Sequence, residues 1–192
     1  HPKVDLATGE LLFFNYSKQA PYLHYGVVDK HQNLKHFVPV ELPGPRLPHD
    51  MAFSKNYSII NDLPLFWDQE MLKKGVHATR LHDLPSRFAV IPRYGNPEDI
   101  QWFEADPTYV LHWNNAYEVD DELILEGYFQ EHPWPDNYVD APPGLERMMA
   151  FLDFSLLKPR LHRWKFNLRT GVTTEEDICD ETIEFGVINQ HV

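Results

Sequence analysis

Short β-type runs dominate the pattern of apolar and polar positions along this chain. Residues 11–16, 23–28, 34–40, 57–60, 87–92, 100–104, 109–113, 122–128, 161–168 and the stretch from Val172 onward carry the side chains that suit strands. The polar stretch 29–33 between two of these runs predicts a hairpin. Residues 118–121 join 109–113 to 122–128, and Arg169-Thr170-Gly171 joins 161–168 to the run that follows. Turns are expected at 5–9 and 94–99. Many short strands joined by tight turns predict an antiparallel all-β architecture: a sandwich, a barrel or a propeller.

Helix signals are few. Residues 68–74 form one candidate, with Asp68 as cap, Lys73 and Lys74 at the C-terminal end and Gly75 as terminator. The segment 145–154 fits a helix or a strand, and the Pro-rich stretch 131–143 reads as a surface loop between units. No close repeat and no low-complexity tract is present. A propeller repeats in structure without needing a readable repeat in sequence.

Composition narrows the function classes. At 192 residues and 43% hydrophobic content, the chain is long enough for one domain with a sizeable core. Its net charge of −12 argues against a nucleic-acid partner and gives no reason to expect an anionic membrane surface. A single cysteine, Cys179, excludes an internal disulfide and fits a reducing, cytoplasmic compartment. That cysteine sits in the acidic stretch 175–181, where negative charge raises a thiol pKa and discourages nucleophilic use. No apolar run approaches the ~20 residues that span a bilayer, and no signal peptide, Gly-rich phosphate loop or nucleophile elbow is visible.

Histidine is abundant, at eleven, and most of these read as ordinary surface residues. Three share a local setting at the entry to a β run: His1 before Pro2-Lys3-Val4-Asp5, His49 within Leu47-Pro48-His49-Asp50-Met51-Ala52, and His112 before Trp113-Asn114-Asn115-Ala116-Tyr117-Glu118. They lie 48 and 63 residues apart, far too distant for a local metal clip. Such spacing suits one ligand per propeller blade, since blades run roughly 40–50 residues. The inner strands of a propeller approach a common axis, where imidazoles from several blades can meet around one ion. Neutral imidazole suits iron, zinc, copper or nickel, and spacing does not choose among them. Nor does spacing exclude three unrelated histidines, exposed or hydrogen-bonded in the core.

The words around these histidines go further. The first, with Thr8-Gly9-Glu10-Leu11, resembles the first iron-ligand segment of the carotenoid cleavage oxygenases, the family of carotenoid, apocarotenoid and lignostilbene dioxygenases and the retinal pigment epithelium isomerase. The segment at 47–52 resembles the family's second ligand word, and 112–118 resembles the third. Residues 183–189, Ile-Glu-Phe-Gly-Val-Ile-Asn, resemble the segment whose glutamate supports a ligand, with Gly186 where proline is usual. The four words occur in the family's order, and the resemblance runs along nearly the whole chain.

This resemblance implies an all-β fold: part of a seven-bladed β-propeller with short helical insertions, the chain 1–192 being an internal portion of a single oxygenase domain. It implies one Fe(II) per subunit, bound by four histidines, with O2 as cosubstrate. His1, His49 and His112 match three of the four ligands, and the fourth lies outside this segment. Glu184 takes the supporting role, accepting a hydrogen bond from a ligand imidazole, that of His112. Phe185, Trp113, Tyr109 and Phe103 are candidates for lining the substrate tunnel, with ordinary core packing as the alternative for each. Glu118 reads as structural, and Asp50 as an organiser of its local turn. The implied chemistry is oxidative cleavage of a C=C bond in a carotenoid or apocarotenoid, giving two aldehydes. A stilbenoid substrate is the main rival. An isomerase on the same scaffold, or a non-catalytic propeller that binds a partner, remain alternatives of other classes. The implied ligand is an apolar, conjugated small molecule, and any peripheral membrane contact falls to parts of the protein outside these residues.

Overall fold

The structure is a computed structural model that describes residues 1–67, 70, 73, 79–81, 84–130 and 158–188. Among these residues, three four-stranded antiparallel sheets follow one another. The first is a meander of β1 (Lys3–Asp5), β2 (Glu10–Tyr16), β3 (Tyr22–Val28) and β4 (Leu34–Glu41). The second contains β5 (Ala52–Phe53) and β6 (Tyr57–Asp62). A two-stranded ribbon of β7 (Leu65–Trp67) and β8 (Thr79–Leu81) comes next, and the sheet then resumes with β9 (Ser86–Pro92) and β10 (Gln101–Ala105). The third is again a simple meander: β11 (Trp113–Val119), β12 (Glu122–Phe129), β13 (Arg160–Asn167) and β14 (Thr173–Thr182). A repeated four-stranded meander is the unit of a β-propeller, so the all-β propeller class expected from the sequence is the one found.

Burial explains why the middle sheet is so apolar. On β9, Phe88 and Val90 join one core cluster while Ala89 and Ile91 join the other. Likewise on β6, Ile59 faces one side and Ile60 the opposite. Strand side chains alternate between faces. A strand covered on both faces therefore reads as a continuous apolar run rather than as an alternating one. The first sheet supplies Leu12, Leu23, Tyr25, Val27 and Val40 to one interlayer. Facing it across the middle sheet, the third supplies Leu123, Leu125, Trp164 and Phe166 to the other. The outermost strand of the third sheet, β14, carries polar residues at most positions, and exposed and half-buried side chains predominate there.

Buried ion pairs stitch the layers together. Arg93, at the end of β9, reaches Asp5 Oδ2 at 2.5 Å, Glu10 Oε2 at 3.3 Å and the Ser54 carbonyl at 2.8 Å. Burial works against its charge, but Asp5 and Glu10 more than offset this and hold the guanidinium pKa above its usual value. Glu118 on β11 accepts from Ser54 Oγ (2.5 Å), the Asn56 N–H (2.8 Å) and Asn56 Nδ2 (2.6 Å), tying the third sheet to the β5–β6 turn. Its structural reading thus has a definite content.

One expectation changes. The run 109–113 is not the strand that pairs with β12. That strand starts at Trp113, and its register runs Ala116 to Leu125 and Glu118 to Leu123. Tyr109 and Val110 are apolar because they fill the interlayer core, at 7% and 0% exposure, without belonging to a strand. The helix expected over 68–74 lies largely outside the described residues, and the segments 131–143 and 145–154 lie wholly outside them.

Candidate metal centre

Each of the three singled-out histidines stands just ahead of the first strand of its sheet: His1 before β1, His49 before β5 and His112 before β11. β5 packs against β11, the His1 ammonium donates to the His49 carbonyl at 2.8 Å, and so the histidines converge. Their ring centroids are 4.8 Å (His1–His49), 5.3 Å (His1–His112) and 5.2 Å (His49–His112) apart. One ring nitrogen from each falls within 4.8 Å of the others. Among the described residues, this is the one group of such donors close enough to share an ion.

The donor set fits a transition metal. His1 Nε2 and His49 Nε2 are 3.1 Å apart. At the ~2.1 Å typical of an imidazole–metal bond, nitrogens at that separation subtend roughly 95° at a common ion, close to an octahedral edge. The same distance serves an N–H···N hydrogen bond, so the third ring and its support carry the distinction. His112 Nδ1 lies 2.6 Å from Glu184 Oε1. An ionised carboxylate only accepts, so Nδ1 carries the proton and Nε2 keeps its lone pair for a ligand. Burial, followed by the neighbouring His112, lowers the pKa of His49 and favours the neutral, donor-ready ring. Burial likewise raises that of Glu184, against the pull of His112. The second carboxylate oxygen of Glu184 is buried and has no hydrogen-bond partner among the described residues.

Glu184 is held by its neighbours in sequence. Phe185 adopts a left-handed backbone, φ 64°, and sets its ring 4.4 Å from that of His112. Next to it, the Gly186 N–H donates to Tyr128 Oη at 2.5 Å. Proline, the usual residue at this point of the motif, has no N–H to give. A Cβ on residue 186 would also collide with the Tyr128 hydroxyl. The departure from the motif is therefore matched to a local partner.

Of the four aromatic residues proposed to line a tunnel, Phe185 alone is open, at 69% exposure. Phe103 packs on Phe166, with ring centroids 5.0 Å apart, inside the interlayer core. Tyr109 is in the same core and donates its hydroxyl to the Leu47 carbonyl. Trp113 packs edge-on against Trp164 at 5.4 Å, although it also borders a cleft of about 510 Å³. That cleft is lined by residues following each histidine on its strand, such as Lys3, Met51, Ala52 and Asn114. Sequence reasoning did not find Lys3, Asn61 or Tyr128, because each acts through a contact with a distant segment.

Comparison with known proteins adds a family context. The family model described as "Retinal pigment epithelial membrane protein" matches residues 1–192. A carotenoid 9,10(9',10')-cleavage dioxygenase 1 from Pisum sativum is 34% identical over 196 residues, covering 99% of this chain and 34% of that protein. An isoeugenol monooxygenase from Pseudomonas nitroreducens is 31% identical over 175 residues, covering 88% of this chain and 34% of its own length. Among solved structures, the Pseudomonas brassicacearum lignostilbene dioxygenase superposes with a TM-score of 0.78 at 28% identity. It is matched over 96% of this chain and 38% of that one. The chain thus spans about a third of the length of the curated relatives it matches.

Proposed function

This chain belongs to the carotenoid cleavage oxygenase family, and on that premise we propose that it is part of a single-domain, non-haem Fe(II) dioxygenase that splits a C=C bond. The observation that carries the proposal is the convergence of His1, His49 and His112, with Glu184 fixing the third ring. The net reaction balances without a reducing cosubstrate: an internal alkene and O2 give two carbonyl compounds, both oxygen atoms going to the products. Ferrous iron, when bound, supplies the one-electron chemistry that spin-paired alkenes lack toward dioxygen.

The protein's own residues set the geometry. His1 and His49 present Nε2 atoms at near-right-angle spacing. Glu184 holds the Nδ1 proton of His112, which fixes the tautomer and the plane of that ring. Phe185 sets its ring edge-on to the His112 imidazole, with centroids 4.4 Å apart. Neutral imidazoles add no negative charge, so an Fe(II) held by them would keep its full +2 charge. The substrate proposed first is a carotenoid or apocarotenoid, following the 34%-identical relative. A phenylpropenoid or stilbenoid alkene is the second reading, favoured by the isoeugenol and lignostilbene enzymes among the relatives.

The test uses the full-length protein. Metal analysis should find one iron per chain. Incubation with an apocarotenal and with a stilbene under isotopically labelled dioxygen should place label in both carbonyl products of the true substrate. His49→Ala and His112→Ala should each abolish cleavage and iron retention. Full activity in either variant ends the ligand assignment, and turnover of neither alkene class by iron-loaded protein ends the cleavage reading.

A further inference from the structure

Asp50 follows His49 directly, and its side chain is almost wholly buried, at 1% exposure. A turn-forming aspartate would satisfy itself locally. One oxygen does so: Oδ1 accepts from the Met51 N–H at 2.9 Å. The other reaches two distant segments. Oδ2 accepts from Lys3 Nζ at 2.8 Å and from the Trp113 N–H at 3.1 Å. Lys3 stands two residues after His1, and Trp113 immediately follows His112. The backbone carbonyl of Asp50 is itself held by Asn61 Nδ2 on β6, at 2.8 Å.

One carboxylate therefore binds the segment that carries each of the three histidines. Its donors are a cation and two peptide N–H groups. Bonds to an ionised acceptor are short and roughly twice as strong as neutral ones. Buried as it is, the carboxylate cannot lose a partner to solvent cheaply. Glu184 acts differently, through a single imidazole. It sets the rotation of one ring, whereas Asp50 sets the distances between three stretches of backbone.

We infer that Asp50 is a positioning residue for the metal centre, a clamp that holds the His1, His49 and His112 segments in register around one cation. This rests on the reading that the histidine cluster binds a divalent metal. Lys3 is the far arm of the clamp, although it approaches no histidine side chain by any hydrogen bond described.

The test takes the full-length protein with cobalt(II) as probe. Its d–d absorption reports coordination geometry, and chelator competition gives affinity. Asp50→Ala should weaken cobalt binding by about 10–100-fold and change the d–d bands. Asp50→Asn keeps an acceptor oxygen but loses the charge opposite Lys3, and should fall between parent and Ala. Lys3→Met should weaken binding several-fold. A purely structural Asp50 would lower the melting temperature of the metal-free protein and leave the folded protein's affinity and spectrum as in the parent. Parental affinity and bands in folded Asp50→Ala overturn the inference. Should Asp50→Ala fail to fold, parental values in both Asp50→Asn and Lys3→Met overturn it equally. Failure of the underlying metal reading looks different: the unsubstituted protein would bind cobalt no better than a His49→Ala/His112→Ala double variant, and the clamp would fall with it.

Discussion

Nδ1 of His112 and Oε1 of Glu184 lie 2.6 Å apart, although 72 residues separate them in the chain. The contact joins the entry to β11 with the segment that follows β14, so the two ends of one sheet close on the same imidazole. Removing the carboxylate leaves the ring free to turn and its tautomer unfixed. In the full-length protein, Glu184→Gln should lower iron affinity by about 10-fold and Glu184→Ala by up to about 100-fold, with the fold intact. Iron content after dialysis against a graded chelator, alongside circular dichroism, checks both.

Core position and site position separate cleanly in Phe88 and Phe185. Phe88 is fully buried and touches Trp113, Trp164 and Phe166. Truncation to alanine opens a cavity between two sheets and should cost about 3–5 kcal/mol. Phe185 is mostly exposed, and Phe185→Ala should change stability by no more than about 0.5 kcal/mol. Urea unfolding of the two variants distinguishes them, and a similar loss in both would contradict the assigned burial.

Gly186 and Tyr128 form a matched pair through the 2.5 Å bond between them. Gly186→Pro removes the donor and adds bulk where the Tyr128 hydroxyl sits. Tyr128→Phe removes that hydroxyl. The double variant should therefore recover part of what Gly186→Pro loses, with a coupling of about 0.5–3 kcal/mol in a double-mutant cycle. Strict additivity in thermal or denaturant unfolding would show that the two do not act together.

His162 on β13 lies between two carboxylates, Asp177 Oδ1 at 2.7 Å from Nδ1 and Glu175 Oε2 at 3.2 Å from Nε2. Burial opposes the charged ring, but these partners outweigh it, and the pKa rises above the ordinary 6.5. A raised pKa means that the folded protein holds this proton more tightly than the unfolded chain. The resulting stabilisation is fully present below about pH 6.5 and is lost as pH climbs through the raised folded value. Unfolding free energies of the parent and His162→Asn, compared from pH 5 to 9, should therefore differ most at the acid end and converge toward the alkaline end. A constant difference would mean that folding does not shift the His162 pKa.

The long strands were legible because their lengths and bounding turns survive any packing: β2, β3, β4, β9, β12 and β13 fall within a residue or two of expectation. Strands as short as Ala52–Phe53 carry too few positions to show a period, and Tyr109 with Val110 looked like a strand because burial alone made them apolar. The three histidines were legible through the words around them, and the structure brings them together. The reach of Asp50 was not, since a carboxylate beside a histidine says nothing of which peptide N–H arrives from 63 residues away. Nor did the sequence indicate that the glycine at 186 answers the tyrosine at 128.

The middle sheet, covered on both faces, also shapes how this chain can diverge. Every side chain from Phe88 to Ile91 meets a neighbouring layer, so no position there is free to drift without a compensating change in another sheet. On β14, solvent meets most side chains, and apart from Glu175 and Asp177, which hold His162, substitutions should accumulate almost unconstrained. A saturation library scored for folded protein would record this as a steep valley over four consecutive codons beside a broad plateau. Remote relatives would keep their ancestry most visibly in that valley.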